Sequence, residues 1–216
     1  MSQTTLDIKE PGLNVLPPGV ERHVVNAGGL TGLQIFPDDE IEIINEEGNQ
    51  ICEIICFDKD GKSELGILNQ KENCKKSFIK ELLKSKDESS LITNLQLKKR
   101  NLDINKSKSS ILFDEQTPSG EKIKIKSKDK CYVIFAAPQN DMLVSEQNPS
   151  SELTLFIKRD KIVNDKELSI IPDPIYEPRH EENIERQTAI SFEVKEGDFI
   201  QAVSYTHLTL PTSRSV

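Results

Sequence analysis

Residues 40–57 read Glu40-Ile41-Glu42-Ile43-Ile44-Asn45-Glu46-Glu47-Gly48-Asn49-Gln50-Ile51-Cys52-Glu53-Ile54-Ile55-Cys56-Phe57. Charged and apolar side chains alternate from Glu40 to Ile44. Successive side chains of a strand point to opposite faces, so one face is wet and the other buried. Asn45 to Asn49 is a polar loop in which Gly48 can take a positive φ. Ile51 to Phe57 is a second run rich in β-branched residues. The two runs predict a hairpin. Asp58-Lys59-Asp60-Gly61 predicts a turn; it begins like a calcium loop, but the twelfth position, which needs a glutamate, is Asn69.

Working outward, the same signals recur. Leu33, Ile35 and Phe36 run into the turn Pro37-Asp38-Asp39. Ser110 to Phe113, the strictly alternating Lys122 to Lys126, and Leu153 to Ile157 predict further strands. Cys131 to Ala137 is continuously apolar and predicts a central strand covered on both sides. Lys75 to Leu83 places Phe78, Ile79, Leu82 and Leu83 at helical spacing, and Leu91, Leu95 and Leu97 continue an apolar stripe that reads as a short helix. The expected class is mainly β: an antiparallel sandwich or barrel-like domain with one short helical insertion between about residues 74 and 97.

The expected layout has five parts. Residues 1–20, with Pro11, Pro17 and Pro18, form an extended arm. Residues 21–160 are the β-rich domain, and 161–186, with Pro172, Pro174 and Pro178, are a stiff linker. Residues 187–203 begin a truncated second copy: Val194-Lys195-Glu196-Gly197-Asp198-Phe199-Ile200 follows the pattern of Phe36-Pro37-Asp38-Asp39-Glu40-Ile41-Glu42 at an offset of about 158 residues. Residues 204–216 carry neither lysine nor acid. The run from Ser204 to Thr212 resembles a translated sequencing adapter of the kind that contaminates metagenomic genes, so these residues are expected to be non-native.

Composition narrows the function. The 216 residues carry a net charge of −8, with 35% hydrophobic and 30% charged residues. The acidic excess repels phosphate, so nucleic acid is not an expected partner. No run of about 18 apolar residues occurs, so no membrane span is expected. Met1 to Glu10 lacks the apolar stretch of a secretory signal, and four cysteines without such a signal read as reduced thiols of a cytoplasmic protein.

Few residues invite a chemical role. Cys52 and Cys56 fall on one side of a strand, and with His23 they would make a metal pair. The spacing of further zinc ligands is missing, so they read as small buried hydrophobes and no metal is expected. Cys74, beside Lys75 and Lys76, reads as a surface thiol, and Cys131 as core. Gly28-Gly29 reads as a turn, His180 as a solvated linker residue, and Lys98-Lys99-Arg100 as wet surface. Glu40, Glu42 and Glu53 fall on the predicted hairpin. If Gln50 and Glu53 point into a barrel mouth, they would hold a small cationic or amide ligand there. Gly48, Gln50 and Glu53 are therefore the candidate ligand positions, and no catalytic residue is assigned.

Three stretches carry a family resemblance. They are Pro18-Gly19 with Asn26-Ala27-Gly28-Gly29-Leu30-Thr31, Asp39 to Ile43 and Glu47 to Glu53; Phe135-Ala136-Ala137-Pro138 with Met142 and Leu153 to Arg159; and Val194 to Gln201. Together they resemble the N-terminal part of long bacterial aminomethyltransferase-family proteins. Such proteins carry domains similar to the urea-carboxylase-associated family ahead of a folate-binding domain related to the glycine-cleavage T protein. Two positions depart from the pattern: Asn45 stands where an acid is usual, and Asp39 where glycine is usual. The His- and Cys-bearing segments of the catalytic members have no match. The resemblance implies a non-catalytic accessory or ligand-binding domain of a protein that moves a one-carbon unit from a methylated amine to tetrahydrofolate. The folate domain is expected beyond this chain, with no cofactor in the chain itself. The resemblance also leaves open a hydrolase of small urea- or guanidine-like compounds, and a binding or scaffolding module. The substrate amine and the oligomeric state are not legible.

Overall fold

The computed structural model describes residues 16–74, 76–139, 149–172 and 191. The chain divides into two units, Met1–Glu177 and Pro178–Val216. The expected second copy and non-native tail lie outside the described residues, Ser191 apart, as does most of the arm.

Eight strands form among the described residues of the first unit: β1 (Val20–Val25), β2 (Leu30–Ile35), β3 (Glu40–Asn45), β4 (Cys52–Asp58), β5 (Ser109–Phe113), β6 (Glu121–Lys126), β7 (Cys131–Ala136) and β8 (Leu153–Lys158). They make two four-stranded sheets, ordered β1-β8-β3-β6 and β2-β7-β4-β5. Every pairing is antiparallel. This order is that of a jelly roll, two Greek keys folded into a sandwich. The mainly β reading of the sequence holds, including β7 as a central strand buried along its whole length.

The hairpin reading of residues 40–57 is corrected. β3 pairs with β6 and β8, while β4 pairs with β5 and β7. The Asn45–Gln50 loop therefore carries the chain from one sheet to the other. Alternation in β3 reports which face is buried, not which strand lies alongside. β1 is also not legible as a strand, because Val20-Glu21-Arg22-His23-Val24-Val25 has charged residues at its centre; one of them, Glu21, turns out to be the partner of a distant arginine.

The core has two layers. Between the sheets, Ile41, Ile43, Ile54, Cys52, Cys56, Val133, Phe135, Phe113 and Leu155 pack together. The interior is thus filled with apolar side chains and does not form a polar barrel mouth. On the far side of the second sheet, Ile55, Phe57, Tyr132 and Ile134 meet Ile79, Leu83 and Leu97 from the helical insertion. Its helices are α1 (Phe78–Leu82) and α2 (Glu88–Lys99). The outer face of the first sheet is wet and laced with Lys124–Glu42, Lys126–Asp38 and Lys158–Glu40 ion pairs at 3.2, 2.9 and 3.9 Å. Glu40 and Glu42 thus belong to a solvated face. Asp58 to Gly61 is the expected turn: the Asp58 carboxylate accepts the Asp60 and Lys62 amides, and Gly61 sits at φ +80. Among the described residues no helix is long and apolar enough to cross a membrane.

Candidate functional site

The sheet-crossing loop is built by its own side chains. Asn45, fully buried, donates its amide to the Gln50 carbonyl at 2.9 Å and accepts the Gly48 amide at 3.0 Å. Gly48 has φ +80, and a Cβ there would lie 2.6 Å from the Ser119 backbone nitrogen. Only glycine meets both conditions. Asn45 is thus a turn-former here.

Gln50 is 1% exposed. Its amide nitrogen donates to the carbonyls of Ile51 and Pro138 at 3.0 and 2.9 Å, and its oxygen accepts the Ser151 amide at 2.8 Å. These bonds tie the start of β4 to the exit of β7 and the approach to β8. Both amide protons are committed, which leaves Gln50 without a donor for a ligand.

Glu53 lies elsewhere. It is fully buried, and its Oε2 accepts the Ile79 amide at 2.8 Å, pinning α1 onto β4. Its Oε1 has no partner among the described residues. Gln50 and Glu53 are therefore not brought together: one clamps three backbone segments, the other sits under a helix.

The cysteines divide as the sequence suggests. Cys52, Cys56 and Cys131 are buried, while Cys74 is half-exposed and its thiol meets the Lys76 carbonyl. Burial pushes the Cys52 thiol well above its usual range, and the neighbouring Cys131 together with burial does the same to Cys56. Neither thiol is therefore activated as a nucleophile by its surroundings. His23 instead pairs with Glu21 at 3.2 Å. Among the described residues no group of three or more His, Cys, Asp or Glu could hold a metal ion.

One polar cluster escapes a reading of the sequence. Arg159, at the exit of β8, has only 3% of its side chain exposed. It makes a two-pronged contact with Glu21 of β1 at 2.8 and 2.7 Å. It also donates to Asp39 at 2.6 Å and to the Gln34 carbonyl at 3.0 Å. Asp39 additionally accepts the Phe36 and Asp160 amides. Burial disfavours the charge on Glu21, but the bonds from His23 and Arg159 outweigh it and leave its pKa below the usual value. Asp39 is the anchor that joins the β2–β3 turn to this arginine. No local signal could have shown this, because Glu21 and Asp39 lie 138 and 120 residues from Arg159.

A cleft of about 300 Å³ opens beside α1, lined by Gly28, Phe78, Glu81, Leu82, Ser85, Asp87, Pro138 and Gln139. None of Gly48, Gln50 and Glu53 lines it. Its carboxylates are engaged: Glu81 pairs with Lys76 at 3.0 Å, and Asp87 accepts the Ser85 hydroxyl at 2.8 Å. The lining has no cationic side chain, so its field disfavours an anion.

No protein-family model matches the chain. The chain is similar to the trimethylamine-oxide aldolase of Ruegeria pomeroyi, 33% identical over 194 residues. The match takes in 90% of this chain and 24% of that protein, so the chain spans about a quarter of its relative's length.

Proposed function

We propose that this chain is an accessory, non-catalytic part of a protein of methylated-amine metabolism, whose reacting groups lie outside it. The likeness to trimethylamine-oxide aldolase over 90% of the chain carries this reading. The hydrogen bonding of the loop and turn residues supports it. Asn45, Gln50 and Asp39 commit their hydrogen-bonding capacity to backbone and to Arg159. The finer reading is an aminomethyltransferase-like parent, in which a methylated amine gives up a one-carbon unit to tetrahydrofolate. A folate bears glutamyl carboxylates, which the acidic lining of the cleft beside α1 repels. The lining of that cleft does not suit such an anion, and we assign the cofactor to another part of the parent protein.

The test is an assay of the purified 216-residue chain. Incubated with trimethylamine oxide, with or without tetrahydrofolate, it should release no formaldehyde above a protein-free control. It should also release no ammonia from urea or guanidine compounds. Turnover in either arm would place a catalytic group within the chain.

A further inference from the structure

Helix α2 is turned inside out. The residues it buries are Ser90, Thr93 and Leu97. Its other large apolar side chains face outward: Leu91 is 52% exposed, Ile92 39% and Leu95 65%. Local bonds make the polar inner face tolerable, because Ser90 donates to the Leu82 carbonyl, Thr93 to Ser89 and Asn94 to Leu83. An apolar stripe displayed at helical spacing on a surface helix marks a contact surface.

The order of residues along the stripe identifies what covers it. At 100° per residue, Glu88, Ile92, Leu95 and Lys99 line up on one edge of the outward face, with Leu91 beside them. Glu88 and Lys99 are both exposed, and among the described residues neither forms an ion pair. The stripe therefore reads acid, apolar, apolar, base over about 16 Å of helix. Turned end for end against itself about a two-fold axis between Thr93 and Asn94, it is self-complementary. Ile92 meets the partner's Leu95, Leu95 meets the partner's Ile92, and Glu88 meets the partner's Lys99 at both ends. A two-fold interface demands this property, in which each contact occurs twice with its members exchanged.

We propose that the outward face of α2 pairs antiparallel with α2 of a second copy of this chain. One helix face is small beside the roughly 800 Å² per partner of a standard stable interface. The association of this chain is accordingly weak and concentration-dependent, in the micromolar range.

Sedimentation velocity on the full 216-residue chain tests this, from low-micromolar to several hundred micromolar protein. The weight-average mass should rise from monomer toward dimer. Leu95→Asp should weaken association by at least about tenfold without shifting the melting temperature, because Leu95 makes its contacts outside the fold. Glu88→Lys and Lys99→Glu should each weaken it roughly three- to tenfold, since each places like charges at both ends. The double variant carrying both changes should return to the unaltered chain's affinity. A chain that stays monomeric throughout, a dimer indifferent to Leu95→Asp, or a double variant no better than the singles would overturn the proposal.

Discussion

Gln50 is conspicuous in sequence, and what it bonds to is set by segments far along the chain. It sits beside a predicted strand in a motif-like setting, so its side chain looks available. Its partners, Pro138 and Ser151, are 88 and 101 residues away, and nothing local announces them. Replacing it with leucine keeps the bulk but leaves the Pro138 carbonyl and the Ser151 amide unpaired in the interior. The expected cost is roughly 2–5 kcal/mol, read as a drop of roughly 5–15 °C in the thermal midpoint followed by circular dichroism. A binding role would leave the midpoint nearly unchanged. Cys131 and the alternation of Ile41 and Ile43 are legible because burial leaves its mark on the residue itself. The duties of Gln50, Asn45 and Asp39 are not, because a hydrogen bond depends on a partner that only the fold supplies.

At the scale of elements, the sequence pattern reveals most of the strands but not their neighbours. β3 and β4 adjoin in the chain and lie in opposite sheets, and a period of two says nothing about pairing. β1 is masked by Glu21, Arg22 and His23, yet Glu21 adds to its ladder with β8 a side-chain link to Arg159. That link makes the sandwich sensitive to acid. Glu21 has a folded pKa below its ordinary 4.5, so its contribution is full above that value and is lost as the pH falls through the folded pKa. In Glu21→Gln the charge is absent at every pH. The variant should melt lower at neutral pH, and its midpoint should decline less steeply than that of the unaltered chain below about pH 5. Parallel melting curves against pH would show that the contact does not stabilise the fold.

At the scale of the whole first unit, the jelly roll has a wet sheet face, an apolar interior, and a second sheet roofed by α1 and α2. The spacing of the α2 stripe predicts a helix but not a surface, because spacing fixes which residues share a face and leaves the direction of that face to packing. In the proposed function this unit supports a reaction whose groups lie outside it. The most direct test grafts the sandwich into its relative. Residues 16–172 would replace the matching segment of the Ruegeria pomeroyi trimethylamine-oxide aldolase, and formaldehyde release from trimethylamine oxide would be measured on the folded chimera. If the unit is a supporting one, release within a few-fold of the unaltered aldolase is expected. A folded chimera that binds trimethylamine oxide but releases no formaldehyde would contradict a supporting role.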